Sequence, residues 1–134
     1  MQKDYADWHK KKTAINNTDV EQLFKEREVW WSSIGLNVGD EQDGKNDSFE
    51  RPVLILRKFN RQVFWAIPMT SSLKENEYYY QISHEDKNFS LVLSQIRLLS
   101  SKRLIRRIRT IDDEEFEKIK TAFCRLLKNN ETPR

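Results

Sequence analysis

Residues 52–56, Pro-Val-Leu-Ile-Leu, restrict the fold more than any other stretch. Consecutive apolar residues lack the alternation of a strand with one wet face, so this strand must be covered on both sides. A chain of 134 residues has material for one core of modest size. The remaining elements must therefore pack around one central strand. Arg27 to Ile34 is β-branched and aromatic, and as a strand it sets Val29 and Trp31 on one face and Trp30 and Ile34 on the other. Arg61 to Pro68 follows the short connection Lys58-Phe59-Asn60, which predicts an antiparallel hairpin with the central strand. Residues 78–82 and 89–96 read as strands on either side of a polar turn at 84–88, and 104–110 as a short strand of ambiguous apolar spacing.

Both ends read as helical. Tyr5, Trp8 and Ile15 recur at helical spacing within the first 24 residues. Thr18-Asp-Val-Glu21 has the form of a capping box, which predicts a second short helix ending near Phe24, separated from the first by Asn16-Asn17. Near the C-terminus, Asp112-x-x-Glu115 is another capping-box pattern, with acids where the helix dipole favours them. Phe116, Ile119, Phe123, Leu126 and Leu127 form one apolar stripe, closed by Asn129-Asn130 and Pro133. The expectation is a mainly β fold with helices (α+β). Five or six short antiparallel strands curl into a small barrel, with a helical extension at 1–25 and the barrel domain at 26–130.

Composition narrows the function classes. The chain contains no apolar run near 20 residues, and its first dozen residues lack the apolar core of a secretion signal, so no membrane span is expected. One cysteine, Cys124, excludes an internal disulfide and fits a reducing, cytoplasmic setting. The formal net charge of +3 says little, but Arg97, Lys102, Arg103, Arg106, Arg107 and Arg109 lie in a segment without acids. Such a block either attracts a polyanion or is a solvated face beside the acidic helix that follows. One cysteine and two isolated histidines, His9 and His84, have no metal-ligand spacing. A carboxylate-only Mg²⁺ site from Asp40, Glu41 and Asp43 and an acid–base pair of His9 with His84 stay open as weaker readings. No phosphate-cradling glycine pattern is present.

Arg51, at the mouth of the buried strand, is the residue that asks for an explanation. It can cap the strand end or pair with Glu50. It can also be a rigidly held anion ligand: Pro52 biases it to an extended backbone, and its guanidinium is a permanently charged planar fork suited to phosphate. If the hairpin forms, the end of the following strand delivers Thr70, Ser71 and Ser72 to the same place. Glu41 precedes it on a polar loop and can fold back as a base, which would complete a pair for phosphoryl transfer.

With these residues in view, the chain resembles the MazF/PemK family of toxin ribonucleases from bacterial toxin–antitoxin pairs. "REVWWSSIGLNVGDEQ" is similar to the family's first strand and G-x-E-Q loop, "RPVLIL" to its R-P-V strand, "AIPMTSS" to its P-x-T-S segment, and "LVLSQIRLLSSKRL" to its Q-I-R segment, in family order over residues 26–128. The resemblance implies an SH3-like barrel, a homodimer, an antitoxin partner, and cleavage of single-stranded RNA without a metal or other cofactor. It places the catalytic residues at Arg51, Thr70 and Glu41, with Gln42, Ser71, Gln95, Arg97, Lys102 and Arg103 as substrate contacts. Trp65 and Tyr78 to Tyr80 are possible stacking platforms or core residues.

There are three departures. The loop from Gly44 to Arg51 is longer than usual, an Arg/Asp variant of the site is replaced by Val92 and Ser94, and residues 1–25 are an addition expected to pack on the barrel or the partner chain. The rival readings are a non-catalytic RNA- or protein-binding module on the same barrel and a gyrase-poisoning toxin acting through its C-terminal helix.

Overall fold

The computed structural model describes residues 2–19, 21–45 and 49–128. Two helices, α1 (Tyr5–Asn16) and α2 (Asp113–Lys128), flank seven strands. These are β1 (Glu28–Ser33), β2 (Glu50–Lys58), β3 (Val63–Thr70), β4 (Tyr79–His84), β5 (Lys87–Val92), β6 (Arg97–Ser100) and β7 (Leu104–Thr110). All pairings are antiparallel, in the order β4-β5-β3-β2-β1-β7, with β6 on β3 as well. The sheet curls into a half-barrel.

The central strand is covered on both faces. Leu54 and Leu56 join Val29, Ile67 and Met69 in one cluster, covered by Ile82, Leu91 and the α2 residues Phe116 and Ile119. Val53 and Ile55 join Trp30, Phe64 and Ala66 in a second, covered by Phe24, Ile34, Leu99 and Leu104. The alternation along β2 is thus between two cores, not between core and solvent. The expected separation of Val29 from Trp30 and Ile34 holds, while Trp31 lies half-buried beneath the Arg106 guanidinium at 5.2 Å.

The hairpin of β2 and β3 is antiparallel, with Val53 opposite Pro68 and Leu54 opposite Ile67. The polar turn at 84–88 is a tight hairpin closed by His84 and Lys87, with Glu85 and Asp86 at φ 50° and 64°. Both central residues at positive φ match the twist of the strands they join. Asp112 Oδ1 accepts from Glu115 N at 2.8 Å and starts α2 as the sequence predicts.

Three expectations need correction. No second helix forms between Thr18 and Phe24 among the described residues. Leu23 is 85% exposed and Phe24 2%, so the segment has one anchor and no apolar stripe, and an extended chain carries Phe24 under the sheet. The strand expected over 89–96 ends at Val92, where a 3₁₀ turn over Leu93–Gln95 interrupts the pairing before the chain continues along the same edge of β3. There it forms β6, hidden inside the basic segment, which raises the strand number to seven. On α2, Leu127 belongs to the predicted stripe but is 74% exposed. Asn129, Asn130 and Pro133 lie outside the described residues.

Candidate functional site

Arg51 is buried at 8% exposure, although it is permanently charged. Its Nη1 donates to the Met69 carbonyl at 3.0 Å and its Nε to the Asp43 carbonyl at 2.5 Å. Among the described residues no carboxylate forms a salt bridge with it. Burial lowers its pKa, and the nearby Asp43 charge partly offsets this. A desolvated guanidinium held by two carbonyls, whose other donors have no hydrogen-bond partner among the described residues, is poised for an external anion.

The β2–β3 register explains its neighbours. Two residues beyond the Val53–Pro68 pair, the same register sets Arg51 opposite Thr70. Alternation directs both toward the face of Val53 and Pro68. Thr70 is half-buried and its Oγ1 accepts from Ser72 N at 3.2 Å, while Ser71 is exposed. On the other side Arg51 pairs with Ser32, whose buried hydroxyl has no hydrogen-bond partner. Nothing in the sequence marked Ser32.

Val53, Ala66, Pro68 and Leu99 floor an open cavity of about 580 Å³, rimmed by Glu41, Gln42, Gln95 and Arg97 among others. Arg97 sits opposite Ala66 in β6; burial lowers its pKa and Glu41 opposes that shift. Glu41 is exposed on the rim, where its Oε1 accepts from Val38 N at 2.8 Å. The acid whose charge bears on Arg51 is therefore Asp43, and the acid whose charge bears on Arg97 is Glu41.

Gln95 ties the loop to the barrel. Its Oε1 accepts from Gln42 N at 2.6 Å and its Nε2 donates to Asp40 O at 3.1 Å. Lys102 donates to Asn16 O at 2.8 Å, and Arg103 donates to Ser33 O at 3.1 Å while stacking on Trp8 at 5.9 Å. The cavity thus gathers Glu41, Gln42, Gln95 and Arg97. Arg51 and Thr70 do not line it; they stand two residues along their strands from its lining residues Val53 and Pro68, while Lys102 and Arg103 are engaged by α1 and β1. The basic block is also less bare in space than in sequence. Arg106 pairs with Glu50 at 3.3 Å and Arg107 with Glu28 at 3.1 Å. Among the described residues no group of three or more His, Cys, Asp or Glu stands close enough to hold a metal ion. His84 faces Glu85 at 3.7 Å, and His9 lies on α1.

Asp43, which the sequence offers only as a possible Mg²⁺ ligand, has a role that sequence reasoning missed. Besides the carbonyl bound by Arg51, its Oδ1 accepts from Asn37 N at 2.6 Å and its Oδ2 pairs with Lys3 at 2.8 Å. No local pattern signals this, because its partners are drawn from three separate segments.

A curled antiparallel half-barrel closed by a C-terminal helix is the fold of known MazF structures. The pattern of the PemK-like, MazF-like toxin of type II toxin–antitoxin systems matches residues 25–127, and the chain belongs to that family. Three solved structures share the fold. MazF from Deinococcus radiodurans superposes with a TM-score of 0.65 at 15% identity, over 81% of this chain and 100% of that one. The Mycobacterium tuberculosis toxin MazF-mt6 gives 0.60 at 12% identity, over 78% and 100%. A mycobacterial endoribonuclease in complex with its cognate antitoxin gives 0.61 at 15% identity, over 83% and 100%. No curated protein matches the sequence. No described helix is long and apolar enough to cross a membrane.

Proposed function

We propose that the chain is an endoribonuclease toxin that cleaves single-stranded RNA by attack of a ribose 2′-OH on its own phosphate. The observation that carries this reading is Arg51, a buried cation with no salt-bridged carboxylate among the described residues, set across the hairpin from Thr70. The O2′–P bond forms and the P–O5′ bond breaks; the 2′-OH proton goes to the base and solvent water protonates the departing O5′, leaving a 2′,3′-cyclic phosphate and a 5′-OH. Arg51 stabilises the charge that builds on the non-bridging oxygens. Thr70, with Ser71, holds one of those oxygens.

Glu41 takes the 2′-OH proton. One of its oxygens is spent on Val38 N, and the other has no hydrogen-bond partner among the described residues. Asp43 is unsuited to that role because both of its oxygens are engaged. Arg97 and Gln42 line the path of the chain beside the site.

The partners follow from the surface. An antitoxin with an acidic extended segment suits a cavity rimmed by Arg97. A second copy of the chain suits the apolar face made by Phe59, Trp65 and Leu98 on the opposite side of β3, which are 48%, 41% and 56% exposed.

Incubation with labelled RNA and its DNA counterpart in EDTA tests the reading. RNA should be cut to cyclic-phosphate ends and DNA left intact, because only RNA has the nucleophile. Arg51→Ala and Thr70→Ala should each abolish most of the activity. Intact RNA under every condition overturns the nuclease reading in favour of a binding module. Cutting only with Mg²⁺ overturns the mechanism.

A further inference from the structure

Residues 2–19 precede the family match, yet two of them, Lys3 and Tyr5, make polar contacts with the loop that carries the candidate base. Lys3 Nζ donates to Asn37 O at 2.6 Å and to Gly39 O at 3.2 Å, and pairs with Asp43 Oδ2 at 2.8 Å. Tyr5 Oη donates to Asn37 O at 2.9 Å. Trp8 is 6% exposed and packs beside Phe49 at 5.5 Å and against Gly35.

The loop itself has little regular structure from Gly35 to Gly44, and Gly35 and Gly39 sit at φ 76° and 56°. A segment of that kind is held by what it touches, because it has no ladder of its own. Asp43 is the junction. Its side chain is gripped by Lys3 and Asn37 N, and its carbonyl holds Arg51 Nε. A displaced Asp43 releases one of the two carbonyls that aim the guanidinium.

We propose that the N-terminal segment is a strap, in which Lys3 and Tyr5 are positioning residues that lock the loop and, through Asp43, hold Arg51 in its working geometry. This rests on the reading of Arg51 as the catalytic cation. It gives the family-foreign N-terminus a task in the reaction rather than in the stability of the barrel. An effect on geometry alone falls on the transition state, so it lowers kcat and leaves substrate binding little changed.

The test compares the full chain with Lys3→Met, Lys3→Arg and Tyr5→Phe, none of which removes core packing. Two measurements are made on each: RNA cleavage kinetics, and amide hydrogen exchange at Asn37, Gln42 and Gly44. Lys3→Met should lower kcat about tenfold with KM within about twofold. It should also speed exchange in the loop while leaving exchange in β2 and β3 and the melting temperature as in the parent. Lys3→Arg should recover most of both effects, and Tyr5→Phe should show a smaller version of the Lys3→Met pattern. Unchanged loop exchange and kcat in Lys3→Met overturns the strap, as does a fall in melting temperature with kcat unchanged. If the parent chain cuts no RNA, the nuclease reading falls alone and loop exchange decides whether the strap exists.

Discussion

Trp8 lies so close over Gly35 that a methyl group there would sit 2.0 Å from the indole Cε2. Gly35 also holds φ 76°, a conformation that costs an L side chain about 1 kcal/mol. Gly35→Ala should therefore destabilise the protein by about 2–4 kcal/mol in urea unfolding. Part of that cost belongs to the clash and part to the backbone. Combining Gly35→Ala with Trp8→Ala should cost clearly less than the two single changes summed, because the ring that clashes is gone. Strict additivity would show that the helix and the loop are not in contact.

Arg51 makes no salt bridge among the described residues and is desolvated, which is an unfavourable arrangement for stability alone. Arg51→Met keeps the apolar stem and removes the charge. Its stability should stay within about 1 kcal/mol of the parent, since relief of desolvation offsets the two lost bonds to carbonyls. Its kcat should fall by about 10²–10³. Arg51→Lys should recover little, because a point charge cannot hold two carbonyls and an anion together. A variant destabilised by more than about 3 kcal/mol would make Arg51 a structural residue.

The contrast between what was legible and what was not has a physical pattern. The central strand, its hairpin and α2 are written in local patterns: an unbroken apolar run, a short polar connection, and a capped stripe from Phe116 to Leu126. The placement of Arg51 across from Thr70 follows from continuing the hairpin register two residues past the Val53–Pro68 pair. Contacts between distant segments leave no such trace. Arg106 and Arg107 look unpaired along the chain because their acids, Glu50 and Glu28, stand on other strands, β2 and β1. β6 hides because its inward residues, Arg97 and Leu99, alternate inside a stretch that reads as charge. Asp43 looks idle because its partners Lys3, Asn37 and Arg51 come from three places.

Tyr80 ties β4 to α2 by donating to Glu115 Oε2 at 2.9 Å. Burial, and then the bond to Glu115, push its phenol from 10.0 up to about 12. A raised pKa means that the folded state prefers the neutral phenol. The stability it contributes is therefore fully present below about pH 10 and is lost as pH rises from about 10 toward about 12. Urea unfolding of the parent and Tyr80→Phe should show a stability gap at pH 8 that closes above pH 10. A gap that is constant across that range would mean that the hydroxyl contributes only packing.

Phe59 and Trp65 meet edge to face at 5.1 Å, with Leu98 directly opposite Trp65 across the β3–β6 pair. These side chains stand outside both cores, and the helix that covers Ile67 and Met69 on the same strand does not reach them. Exposed aromatic and leucine side chains gathered on one sheet face form a patch of the kind that pairs with its own copy about a two-fold axis. Sedimentation equilibrium should give a dimer at micromolar concentration for the parent chain and a monomer for Trp65→Glu. Far-UV circular dichroism of the variant should be unchanged, because Trp65 is 41% exposed and contributes little to the fold of one copy. Arg51 lies toward the opposite face of the β2–β3 hairpin, so the monomeric variant also separates two roles. Cleavage that survives in the monomer places the whole reaction within one chain, whereas loss of cleavage with the fold intact shows that the partner copy completes the substrate path. A parent chain that stays monomeric at tens of micromolar would leave this face without the partner proposed for it.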